Sequence, residues 1–230
     1  MRYTVHAFTV LALALGAAPA RAQNPGLPVY NQGVPRGIAL YGDVGFPNDE
    51  AGSGLAYGAS LRAGFGPIGA TGTLSALNPD GDAGADVAVG GTLNYKLLGG
   101  PLVPLSVTLQ AGVGYAKPGE DVIIALGGGT PVVSEFTLYH VPIGIGFALV
   151  IPNPVLSIHP WLAPRVDIAY QKAGDASNTD TNFGLSGGLE LNLLNGFGIH
   201  AAYDRVFAKD VADPATFGIG AHYAFRVPGL

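Results

Sequence analysis

Four histidines beyond the amino-terminal leader, His140, His159, His200 and His222, together with Glu190, are the residues of this chain best suited to chemistry. Counted from the turns that flank them, His159, Glu190, His200 and His222 fall at similar depth. The spacing therefore predicts that His200 and His222 are neighbours, with Glu190 and His159 close by. Imidazoles grouped with a carboxylate can bind Zn²⁺ or act as a pH-sensitive plug. The plainer alternative, which is favoured, is a polar network that only fills an interior. A second candidate is the stretch Asp80-Gly-Asp82-Ala-Gly-Ala-Asp86, whose spaced carboxylates suit Ca²⁺. It lacks the third ligand, the glycine position and the closing Glu of an EF-hand loop. Enzyme signatures are missing. There is no G-x-S-x-G, H-E-x-x-H or phosphate loop, and the four histidines are followed two places on by Pro142, Trp161, Ala202 and Ala224, never by the serine of a barrel deacylase. No catalysis and no cofactor are expected.

What must position these groups is a two-residue alternation. In residues 86–97, Asp86, Ala88, Gly90, Thr92, Asn94 and Lys96 alternate with Val87, Val89, Gly91, Leu93, Tyr95 and Leu97. Successive strand side chains point to opposite faces, so one face is apolar and the other small or polar. Ten such runs can be marked, at 36–46, 55–66, 67–77, 86–97, 104–116, 135–150, 157–171, 182–194, 197–208 and 215–225. They exceed the roughly 5–6 residues usual for soluble strands and have the length that a tilted strand needs to cross a bilayer. Hydrocarbon demands that every backbone polar group be paired, so such a sheet must close.

Composition agrees. Charged residues make up 12% and mean hydropathy is +0.35. The greasiest stretch beyond the leader, Val141 to Ile151, is too short and too interrupted for a membrane helix. Arg2, the apolar run Val5 to Ala18 and Ala20-Arg21-Ala22 read as a cleavable Sec-type signal peptide over 1–22. Its removal takes two of the 11 basic residues, leaving 9 against 16 acidic, so the net charge moves from −5 to −7. No basic patch remains for nucleic acid. With no cysteine, lipid anchoring through a lipobox and disulfides are excluded.

Residues 23–35, with three prolines and little pattern, are expected to form a periplasmic lead-in; the barrel spans 36–225, and 226–230 is a short tail. Turns at 66–67, 98–103, 151–156 and 195–196 alternate with longer loops at 47–54, 78–85, 117–134, 172–181 and 209–214. Short turns at one end and long loops at the other are the layout of outer-membrane barrels. The loops hold Asp49, Glu50, Asp80, Asp82, Glu120, Asp121, Asp175, Asp180, Asp210 and Asp213. Through divalent cations they would contact lipopolysaccharide. Within the longest loop, Val122 to Leu126 and Pro131 to Val133 flank glycines and predict a hairpin that offers a surface partner a contact.

The apolar parity is taken as lipid-facing. The inward parity then collects Asp43, Arg62, Asp86, Lys96, His140, Arg165, Asp167, Glu190 and Asp204, three bases facing five acids around the histidines. Abundant inward glycine is read as letting the sheet curl tightly. Outward aromatics near the strand ends, among them Tyr57, Tyr95, Tyr139, Tyr170 and Phe197, suggest interfacial girdles. Trp161 falls on the inward parity, filling the lumen or marking a bulge.

The last strand, Gly220-Ala-His-Tyr223-Ala-Phe225, resembles the carboxy-terminal signal read by the barrel-assembly machinery, with Gly220, Tyr223 and Phe225 as its signature. Residues 36–225 as a whole resemble the small outer-membrane β-barrel superfamily that includes OmpA-like and OmpW-like domains. The chain departs from it in the residues after Phe225 and in strand number, since many relatives have eight. The resulting expectation is a closed, all-β, antiparallel transmembrane barrel of about ten strands (alternatively eight) in the outer membrane. Its expected role is structural or in surface interaction. The alternatives are a narrow pore and a soluble, lipocalin-like carrier, in which the apolar parity would face inward.

Overall fold

A computed structural model of the chain describes residues 24–35, 37–81, 84–100, 103–117, 122–124, 132–134, 136–153, 155–173, 176–209 and 212–225. Residues 1–22, read above as a signal peptide, and residues 226–230 lie outside them. Ten long strands close into one antiparallel barrel. They are β1 (Gly37–Pro47), β2 (Leu55–Phe65), β3 (Ile68–Asn78), β4 (Asp86–Gly100), β5 (Val103–Lys117), β8 (Phe136–Leu149), β10 (Leu156–Ala173), β11 (Ala176–Leu193), β12 (Phe197–Phe207) and β13 (Ala215–Phe225). β1 pairs with both β2 and β13, and β10 pairs with β11, so no edge is left. Closure is what the backbone needs in lipid. The short β9 (Ile151–Pro152) continues β8 in the same register against β10.

The alternation places the two faces as the sequence implies. Leu93, Leu109, Val113, Ile143, Phe183 and Ile199 are exposed on the outside. Ser60, Thr108, Gln110, Ser186 and most of the inward ionisable groups, among them Asp43, Arg62, Arg165, Asp167, Glu190, His200 and Asp204, are buried on the inside; Lys96 and His159 are half-buried. This overturns the lipocalin-like alternative, which required an apolar interior. Aromatic pairs mark both ends of the outer wall: Tyr139 with Tyr115 and Tyr170 at the loop end, and Tyr223 with Phe197 and Phe225 at the turn end.

Four expectations are corrected. First, 172–181 is not a free loop: β10 and β11 remain paired from Leu156↔Leu193 to Ala173↔Ala176, so Asp180 stands opposite Ala169 in the sheet. Second, β4 and β5 run on past Leu97 through register shifts between Lys96 and Gly100. Third, inward glycines make room as much as curvature. A Cβ on Gly146 would lie 2.6 Å from Asn31, and one on Gly144 2.6 Å from Arg165. Atoms that close cannot coexist, so the glycines leave space for what fills the lumen.

The fourth correction is the largest. The segment 24–35 is not a lead-in outside the barrel; it runs through the lumen. At the loop end, Gly26 sits against Ala56, Leu77 and Pro47, and Leu27 packs into the buried cluster with Ala56 and Leu77. At the turn end, Val34 and Pro35 lie against Gly64 and Gly69. Three prolines suit an extended backbone with few N–H groups to satisfy. The hairpin within 117–134 is present: β6 (Val122–Ile124) pairs with β7 (Val132–Ser134) as a separate two-stranded sheet.

Candidate functional site: the filled lumen

Two polar clusters and the inner segment make up the interior. The first is an ion triplet. Arg165 on β10 places Nε 2.8 Å from Asp167 Oδ2 and Nη2 2.7 Å from Asp204 Oδ1, with all three side chains at 2–3% exposure. Asp167 lies two residues along the same strand, hence on the same face; Asp204 comes from β12, across β11. Such charges persist in a dry interior only when paired and hydrogen-bonded. Asp204 has a further partner: its Oδ2 accepts the Val29 N–H at 2.7 Å. The wall's ion pair thereby holds the inner segment as well.

The second cluster lies toward the turn end. His200 Nε2 donates to Asp43 Oδ1 at 2.7 Å, both side chains fully enclosed. The Tyr41 ring stacks on His222 at 4.5 Å and lies 5.4 Å from His200, and the two imidazoles are 5.8 Å apart. His200 is opposite Gly220 and His222 opposite Gly198, so the histidines are diagonal and not direct cross-strand partners. Glu190 is opposite both His159 and His200. The bridge between these groups is Asn192: its Oδ1 accepts from His222 Nε2 at 2.8 Å, its Nδ2 donates to Glu190 Oε1 at 2.8 Å, and it lies 3.3 Å from His159 Nδ1. Tyr41 OH reaches Glu190 Oε2 at 3.4 Å.

The structure therefore brings His159, Glu190, His200 and His222 into one region, as the spacing predicts: His159 Nδ1 lies 3.8 Å from Glu190 Oε1, and the other links run through Asn192 and Tyr41. Among the described residues no group of three or more His, Asp or Glu is arranged to hold a metal ion. His200 Nε2 and His222 Nε2 are taken by hydrogen bonds to Asp43 and Asn192. The proposed Ca²⁺ stretch falls partly outside the described residues, and Asp86 is buried in the wall.

The expected balance of three bases against five acids resolves differently for each base. Arg165 takes two acids. Arg62 takes none: its guanidinium lies 3.8 Å over the Tyr41 ring and 5.2 Å from that of Tyr30, and Nη1 donates to Gln32. Lys96 has no side-chain partner among the described residues and faces a cavity at the turn end. Trp161 fills the lumen, its ring 6.2 Å from that of Tyr30, with no break in register beside it. His140 and Asp86 are buried in the wall. Gly220, Tyr223 and Phe225 lie on β13, the two aromatics outward at the turn end.

Residues the sequence reading passed over are those of the inner segment. Tyr30 offers its carbonyl to Gln110 Nε2 at 2.9 Å and its ring edge to His200 at 5.4 Å. Gln32 meets Arg62. One signal was present. Residues 23–35 contain no charged side chain, which is unusual for a solvated linker and suits a segment enclosed beside an ion triplet.

No family model matches the chain, and no curated protein does. Solved structures do. The β domain of the Bordetella autotransporter BrkA is similar at a TM-score of 0.51 and 13% identity, over 82% of this chain and 98% of that one. The translocator domain of the autotransporter NalP from Neisseria meningitidis gives 0.48 and 12%, over 96% and 97%. The outer-membrane protease OmpT from Escherichia coli gives 0.39 and 11%, over 83% and 94%. The chain thus has the fold of small outer-membrane β-barrels. Identities this low speak to fold alone.

Proposed function

We propose that this chain is a plugged outer-membrane barrel that works as a structural or surface-interaction protein and not as an open pore. One observation carries the reading: residues 24–35 occupy the lumen and are tied to three parts of the wall, through Val29 to Asp204, Tyr30 to Gln110 and Gln32 to Arg62. A segment held by a buried carboxylate is not a loosely tethered flap. Its amino-terminal end lies beside Pro47, Ala56 and Leu77 at the loop end, the cell-surface side in barrels with short periplasmic turns. On this reading the sites of contact are the acidic loops, for lipopolysaccharide through divalent cations, and the 117–134 hairpin, for a surface partner. The barrel-assembly machinery would engage Gly220, Tyr223 and Phe225 during biogenesis. No catalysis is assigned.

Single-channel recording in a planar bilayer tests it. The full barrel is expected to be silent and a variant lacking residues 24–34 to conduct. Steady conductance by the full barrel would favour the narrow-pore alternative and end this reading.

A further inference from the structure

The inner segment stops short of filling the turn end, and a cavity of about 400 Å³ remains there. Its volume falls within the roughly 300–1,000 Å³ of small-molecule sites. Two permanent cations, Lys96 and Arg62, line it. The Lys96 ammonium has no hydrogen bond or ion pair among the described residues. Arg62 is 7% exposed and its Nε lacks a partner. The one carboxylate in the lining, Glu190, is already engaged by Asn192 and Tyr41. A chain of net charge −5 therefore presents a locally cationic chamber, open at the turn end. Val103, Ala148 and Val150 add apolar surface to the lining, beside Ser106, Ser157 and Asn192.

We propose that this chamber binds a small organic monocarboxylate with an aliphatic body, drawn from the turn-end, periplasmic side. The carboxylate would sit between Lys96 and Arg62, where charge-assisted hydrogen bonds are strongest. The aliphatic part would lie along Val103 and Val150. Glu190 in the same chamber disfavours a dianion such as a phosphate monoester, because like charges at close range in a partly dry site repel. Gln32, Gly33, Val34 and Pro35 of the inner segment also line the chamber, so this site rests on the segment occupying the lumen as proposed above; conductance tests that reading and hexanoate binding tests this one.

The test is a titration of the refolded full barrel in lipid nanodiscs with hexanoate, against hexanol and methyl phosphate as controls. Saturable hexanoate binding is expected, with methyl shifts at Val103 and Val150 and none at Leu77 near the loop end. Lys96→Gln, which breaks no contact in the wall, is expected to weaken binding about tenfold with heat-modifiable gel migration unchanged. Three results would overturn the proposal: no saturable binding, equal binding of hexanol, or tighter binding of methyl phosphate. A wild-type affinity retained in Lys96→Gln would do so as well.

Discussion

Arg165 is where a single substitution should reveal how the lumen is held. Its guanidinium joins Asp167 and Asp204 at 2.8 and 2.7 Å, with no side chain of the three above 3% exposure. Arg165→Met keeps much of the volume but removes the charge, leaving two buried carboxylates without a cation. Breaking a buried pair from one side costs about 3–5 kcal/mol. At about 1.4 kcal/mol per factor of ten, that is roughly a 10²- to 10³·⁵-fold shift toward the unfolded barrel. The chain carries its own probe, since Trp161 is the single tryptophan and lies in the lumen beside Tyr30. Urea unfolding in lipid vesicles, followed by Trp161 fluorescence, should show the loss. Adding Asp167→Asn and Asp204→Asn should recover much of it, because the neutral amides need no counter-charge. A loss below about 1 kcal/mol, the range of an exposed pair, would mean that the triplet is hydrated and that the lumen is not dry there.

Leu27→Ala should destabilise the barrel by about 2–5 kcal/mol, the usual cost of emptying a buried leucine site. Leu27 is 2% exposed against Ala56 and Leu77, and the same urea titration measures the change; no change would mean that the segment does not occupy the lumen in the membrane. Lipid-phase photolabels should mark Leu93 and Leu109 on the outer wall and spare Leu138 and Leu77, which are 2% and 0% exposed. Digestion and mass spectrometry read the pattern, and labelling of the buried pair in place of the outer pair would invert the account of the two faces.

Alternation along β4, β5 and β11 is a local property. A strand's two faces are set by the parity of its residues, so side-chain polarity alone divides each strand into an apolar and a polar face, and the folded barrel shows the apolar one turned outward. That is why the barrel, its ten strands and the single parity shared by Asp43, Arg62, Arg165, Asp167, Glu190, His200, Asp204 and His222 were legible in the sequence; Arg205, on the opposite parity of β12, is exposed and pairs with Asp213. Strand ends were less so where polar residues stay paired beyond the bilayer. Asn178 and Asp180 continue the β10–β11 hairpin because backbone pairing persists as long as a partner strand does. The path of residues 24–35 was barely legible. Three prolines and no repeat carry no parity, and the one local signal, the absence of charged side chains, suits enclosure without naming a path. Closure of the ten strands decides it: the circle leaves a space of fixed width, glycines at 64, 144, 146 and 218 keep it clear, and Asp204 offers an acceptor at the height where Val29 has a free N–H. The same closure converts parity into chemistry. Arg165 finds two acids and Lys96 finds none, because pairing depends on height and angle around the barrel. Neither coordinate exists until the sheet meets itself.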